Sequence, residues 1–198
     1  QGVRCGKIAV VCRDISLYRA AVRYEFRMAE IPLYCDEPTT PEFSAPATAV
    51  RALLALLRGA DMTEQLTVLA KTGLCDLTEP EVCALENYAY TWSPNAAAWR
   101  AEFTKSPRGF GDAELTEEDT QNLTRAENAR KKLVTAVDTL RGKVRSANAE
   151  QISRALYFCL KELGAEGQQA VQVEDIRTAR GIPAAEEAAR EWNVVMQL

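Results

Sequence analysis

The stretch KIAVVCRDISLYRAAVRYEFRMAEIPLYCDE, residues 7–37, governs what fold is expected. Lys7 to Cys12 is a short continuous apolar run rich in β-branched residues, the pattern of a strand buried on both faces. Ser16 is a candidate helix N-cap, and Leu17, Ala20, Ala21, Tyr24 and Met28 follow helical spacing. Ile31 to Cys35 reads as a second strand, with Pro32 near its start, where a missing N–H is tolerated. Strand, helix and strand in about 30 residues make a βαβ unit with parallel strands and a right-handed crossover.

Beyond this unit the pattern turns helical. Val50, Leu53, Leu54 and Leu57 form one stripe that stops at Gly59. Asp61 with Glu64, and Thr78 with Glu81, have capping-box spacing for helices running to Lys71 and Trp92. Residues 93–113 carry Pro94, Pro107, Gly109 and Gly111 and read as a long loop with one short helix near Trp99. Thr116 then caps a long helix. Its seam, Leu123, Ala126, Leu133, Val137, Leu140 and Val144, is interrupted by Arg130. Packing inside the chain is the plainer reading of that seam, an intermolecular coiled coil the other. Asn148 and Gln151 fit a further cap, Val173 to Thr178 a short helix, and residues 184–198 a last one.

The expected fold is therefore α/β at the N-terminus and mainly α-helical afterwards, mostly α overall. Residues 1–60 form one domain, the βαβ unit plus a helix. Residues 61–198 form a helical subdomain whose last helix returns toward the first. Two strands alone make a poor sheet, and Gln1 and Leu198 close abruptly on structured patterns, so both ends read as cuts in a longer chain.

Composition narrows the chemistry. The chain has 198 residues, a net charge of −4 and no histidine. Histidine-based nucleophile systems, HExxH sites and Cys/His zinc fingers cannot be built. The six cysteines show no CxxC spacing and read as reduced, small core residues. No apolar run is long enough to span a membrane. No catalytic residue and no metal site is assigned, and the chain reads as cytoplasmic.

Several residues admit two readings. Lys71-Thr72-Gly73 matches a KTG triplet, but the SxxK partner that such chemistry needs is missing. Gly73 then reads as a helix C-cap with Lys71 at the negative end of the dipole. Asn87, Tyr88, Trp92 and Trp99 either fill a core or stack on single-stranded bases, beside Arg100, Lys105 and Arg108. Arg13 follows the first strand, where it either caps a surface or reaches a phosphate. Lys131, Lys132, Arg141, Lys143 and Arg145 make the second half of the long helix basic, as the macrodipole favours.

Two stretches together resemble a known family. Residues 7–37 resemble the opening of the second RecA-like motor domain in UvrD/PcrA-type helicases, and LAKTGLCDLTEPEVCALENYAYTW, residues 69–92, pairs a KTGL element with LENY at the distance seen in AddB-type subunits of bacterial ATP-dependent helicase/nucleases. The resemblance implies an internal, non-catalytic section of such a subunit, acting in double-strand-break repair and recombination. It implies DNA and an AddA-type subunit as partners of the parent. ATP, Mg and an iron–sulfur cluster are implied for the parent and none for this section. Arg13 is then the nucleotide-contact candidate. Lys71, Asn87, Tyr88, Trp92, Trp99, Arg100, Lys105 and Arg108 are the DNA-contact candidates. The isolated chain is expected to be monomeric, and a stand-alone helical interaction module is the competing reading.

Overall fold

The computed structural model describes residues 4–35, 44–111 and 114–197. The chain divides into two compact units, Gln1–Thr40 and Pro41–Leu198.

The first unit holds 3₁₀ turns at Cys5–Lys7 and Ile15–Leu17 and one helix, α1, Arg19–Met28. The expected βαβ unit is not there, because no strand occurs among the described residues. Ile8 is extended, at φ −107° and ψ 124°, but an extended run becomes a strand only when a neighbour takes up its backbone groups. Neither apolar run has such a ladder, and their side chains stand in solvent: Val11 is 90% exposed and Tyr34 80%. A run patterned for burial on both faces needs cover on both, and the described residues of this unit supply none. The helix also starts later than Ser16 suggests, with Tyr18 at its N-cap.

The second unit is helical: α2 (Ala45–Leu57), α3 (Met62–Lys71), α4 (Glu79–Trp92), α5 (Ala96–Arg100), α6 (Glu117–Val144), α7 (Ala149–Glu162), α8 (Ala165–Arg180) and α9 (Ile182–Met196). Local chemistry sets most of the starts. Ser44 accepts a hydrogen bond from the Ala47 amide, and Pro46 occupies the first turn, where its missing N–H is harmless. Thr78 with Glu81, Thr116 with Asp119 and Asn148 with Gln151 each form a reciprocal capping box. Asp61 caps α3 by accepting from Glu64 N at 2.9 Å.

The core runs along α6, which is about 42 Å long at 1.5 Å per residue. Helix α4 packs on it most extensively, and α7 lies along its second half. Both facing helices carry buried alanines, Ala84 and Ala89 on α4 and Ala126, Ala129 and Ala136 on α6. Small side chains at these positions admit close approach. Leu133, Val137 and Leu140 continue the buried stripe, so the seam is spent within the chain. Helix α2 pairs with α3 and also touches α9, which otherwise packs on α8. Helix α8 spans far more than the short helix expected at 173–178. Of the cysteines read as core residues, Cys75 and Cys159 are buried, whereas Cys5, Cys12 and Cys83 are exposed. Burial pushes both core thiols up to about 12, so they stay protonated at neutral pH.

Candidate nucleic-acid interface

The connection from α3 to α4 is clasped from several sides. The Asp76 amide donates to Leu163 O at 2.7 Å, and Lys132 Nζ donates to Asp76 O and Oδ2 at 2.5 and 2.6 Å. Gln172 Nε2 reaches Thr72 O at 3.2 Å. The lysine contact, first of all its hydrogen bond, holds the Asp76 carboxyl below its ordinary range. The KTGL segment is thereby fixed against α6 and α8.

Lys71, at the end of α3, pairs with Glu86 on α4, with Nζ 2.8 Å from Oε1. This pair rims a groove of about 650 Å³ between α2, α3 and α4. Thr48, Thr63, Thr67 and Val68 line it, with Tyr90 at its edge. The KTGL element thus supplies Lys71 and Thr72 to this groove, the LENY element supplies Glu86, and Ala89 and Tyr90 follow it on α4.

The loop after α4 is ordered by aromatic and charged contacts. Trp99 is fully buried, and its Nε1–H donates to Thr63 Oγ1 at 2.9 Å. That hydroxyl donates in turn to Pro94 O at 3.0 Å. Tyr88 is also buried, stacked on Phe103 with centroids 3.9 Å apart, and its hydroxyl accepts from the Lys105 amide. These two rings therefore sit inside the core. Trp92 is half-buried and its Nε1–H donates to Ser106 O at 2.8 Å.

Arg130, which interrupts the seam, anchors this loop to α6. Its guanidinium donates to Glu127 Oε1 and Oε2 and, at 2.8 Å, to Trp99 O. Glu127 also accepts from the Phe103 amide at 3.0 Å. Burial pushes the Glu127 carboxyl up, but Arg130 and the Phe103 amide outweigh it and hold the group low. The same pairing raises Arg130. A buried arginine with its donors satisfied belongs in a core as a bracket, not as a free cation.

The remaining candidates are surface groups. Arg100 makes a two-pronged pair with Asp138, both contacts at 3.1 Å. Arg108 pairs with Asp119 and donates to Glu114 O at 3.2 Å. Asp119, held low mainly by the Thr116 hydroxyl and amide, ties the loop to the start of α6. Lys105 lies over the Trp92 ring, 4.4 Å from its centroid, and makes no ion pair among the described residues. Asn87 is exposed on α4. Arg13 is exposed in the first unit. The structure thus places Tyr88 and Trp92 on α4, Trp99 and Arg100 on α5, Lys105 and Arg108 in the loop that follows, and Lys71 at the groove.

Sequence reasoning passed over Phe103, Phe110, Glu127 and Asp138. The i, i+3 spacing of Glu127 and Arg130 was a usable signal for the bracket. Phe110 carries none, because a single ring in a loop has no periodicity.

Known proteins were compared with this chain. No protein-family model matches it. It is 23% identical, over 208 residues, to the B subunit of the ATP-dependent helicase/deoxyribonuclease of Alkaliphilus metalliredigens, covering all of this chain and 18% of that protein. The corresponding B subunit of Clostridium acetobutylicum is 24% identical over 200 residues, covering 99% of this chain and 17% of the relative. That of Alkaliphilus oremlandii is 22% identical over 203 residues. The chain resembles a segment of these helicase/deoxyribonuclease B subunits. The likeness first seen in KTGL and LENY extends from end to end, and the chain spans about a sixth of those subunits' length.

The resemblance implies ATP, Mg and an iron–sulfur cluster for the parent subunit and none for this section. Among the described residues no three His, Cys, Asp or Glu side chains converge as a metal site. No helix among the described residues is long and apolar enough to cross a membrane.

Proposed function

We propose that this chain is a DNA-contacting and scaffolding segment of the B subunit of an ATP-dependent helicase/deoxyribonuclease that acts in double-strand-break repair and recombination. In this reading the segment is non-catalytic and works in the cytoplasm with an AddA-type partner subunit. ATP hydrolysis and DNA cleavage belong to other parts of the complex, and Arg13 is a nucleotide-contact candidate only in their company. The observation that carries the reading is the end-to-end likeness to the B subunits. The joining of the KTGL and LENY elements of residues 69–92 through Lys71 and Glu86 supports it.

The DNA-facing groups in this reading are exposed ones: Lys71, Asn87, Arg100, Lys105 and Arg108, with the half-buried Trp92. Fluorescence anisotropy with single-stranded DNA at two salt concentrations tests this. The expected outcome is binding that weakens with salt, about 0.7 log units per tenfold salt for each phosphate neutralised. An absence of binding, together with a stable homodimer in sedimentation, would favour the interaction module instead. Of the two motives for that competing reading, the acidic net charge stands, while the heptad-like seam is buried inside the chain.

A further inference from the structure

The loop between α5 and α6 holds a large apolar ring in water. Phe110 is 92% exposed, yet the residues just before it are tied by hydrogen bonds. The Gly109 amide donates to Ser106 O at 3.1 Å, and the Arg108 amide to Ser106 Oγ at 3.3 Å. The Arg108 guanidinium reaches Glu114 O and Asp119 at the start of α6. Gly109 has φ +91°, and a Cβ there would press on Thr91 Cγ2 at 3.3 Å. Glycine therefore suits both the turn and the close approach to α4.

The ring that such a loop presents has one face of its surroundings already filled. Phe110 meets Trp92 edge-on, with centroids 4.7 Å apart and planes at 61°. Lys105 shares the same Trp92 ring through its ammonium group. Between Trp92 and Gly111 the chain carries Arg100, Lys105 and Arg108 against Glu102 alone. Arg100 and Arg108 are paired with carboxylates, whereas Lys105 makes no ion pair among the described residues and lies over the indole. An exposed aromatic ring beside an ammonium that no described carboxylate neutralises matches a ligand that is flat, apolar on its faces and anionic along its backbone.

We infer that Phe110 is a stacking platform for an unpaired nucleobase of single-stranded DNA, with Lys105 meeting the adjoining phosphate. Stacking on a phenyl face tolerates any base, and the ammonium adds a salt-dependent contact without reading sequence. The hydrogen bonds of Ser106, Arg108 and Gly109 matter because a ring whose backbone is already held loses less freedom on binding. This inference rests on the DNA-contacting reading above and assigns it a residue that reading did not contain.

The experiment is photocrosslinking of the 198-residue chain to a short oligo-dT carrying 5-bromouracil, followed by peptide mapping. It is paired with anisotropy on the wild type, Phe110→Ala and Phe110→Trp. The crosslink is expected at Phe110. Phe110→Ala should bind roughly five- to a hundredfold more weakly and Phe110→Trp within about threefold of wild type. Thermal melting should be unchanged in Phe110→Ala, because the ring is exposed. Undiminished binding by Phe110→Ala, or crosslinks confined to other segments, would overturn the platform and leave the DNA-contacting reading standing. A wild-type chain that binds no single-stranded DNA would overturn both.

Discussion

Lys71 Nζ and Glu86 Oε1 lie 2.8 Å apart, joining the end of α3 to the middle of α4. This contact explains why KTGL and LENY belong together. They are two walls of one groove, held at a fixed separation by a turn that α6, α7 and α8 clasp. The pair itself is exposed, with side chains 54% and 44% accessible. Its attraction is screened by water, so it sets geometry more than stability. A double-mutant cycle on Lys71→Ala and Glu86→Ala should give a coupling of about 0.2–1 kcal/mol in urea denaturation. The coupling should shrink in high salt. A coupling several times larger would show that the pair also carries the fold.

Arg130 and Glu127 should behave differently, because their side chains are only 8% and 21% accessible. Glu127→Ala leaves the guanidinium without its carboxylate and orphans the Phe103 amide. The expected loss is about 2–4 kcal/mol, read as a lowered urea midpoint. Arg130→Met keeps most of the volume but leaves Glu127 with only the Phe103 amide; because that carboxylate is the more accessible partner, the loss should be somewhat smaller, about 1–3 kcal/mol. If Arg130→Met proves the more damaging of the two, the bond to Trp99 O matters more than the pairing with Glu127.

These contacts also show what was legible in the sequence. The caps at Asp61, Thr78, Thr116 and Asn148 were readable because a cap is decided within four residues. The burial of Trp99 followed from its size and setting, though two readings stood open. The β reading of Lys7–Cys12 and Ile31–Cys35 failed because a strand is not a local object. Side-chain pattern can suggest one, but the backbone ladder has to be supplied from elsewhere. Arg130 looked like a break in the seam, when its partner Glu127 lay one turn away. Phe110 could not be found at all, since its meaning lies in the tied loop beneath it and in the Trp92 ring beside it.

Acid should destabilise the chain, and neutral pH should not. Asp76, Asp119 and Glu127 all have folded values held below the ordinary carboxylate range. A depressed folded value gives stability that is present above the unfolded value, about 4, and is lost as pH falls through the folded one. The chain has no histidine to titrate between these carboxylates and the alkaline groups. The melting temperature should therefore be flat between about pH 6 and 8 and fall below about pH 4. Glu191 runs the other way, raised by burial and then by Glu187. Its protonated form is the favoured one, so its contribution is present below the unfolded value and lost as pH rises. Glu191→Gln should raise the melting temperature at neutral pH and not in acid. A gain of equal size at both would remove the electrostatic explanation.

Gly164 and Gly167 lie three residues apart at the start of α8 and should respond to alanine in opposite directions. Gly164 has φ +89°, and a Cβ there would fall 2.7 Å from Asp76 Cβ. That neighbour cannot easily retreat, because the Asp76 amide is bonded to Leu163 O at 2.7 Å and Lys132 holds its carboxylate. Gly164→Ala combines a left-handed backbone with a clash, for an expected loss of about 2–4 kcal/mol. It should also loosen the KTGL turn, detectable as faster amide exchange at Asp76. Gly167 is helical and a Cβ there meets nothing within 4 Å. Gly167→Ala should stabilise by about 0.5 kcal/mol, since alanine has less backbone freedom to lose. Equal and small effects at both sites would mean that the junction of α7 and α8 is softer than these contacts require, and that the KTGL turn is held chiefly by Lys132 and Gln172.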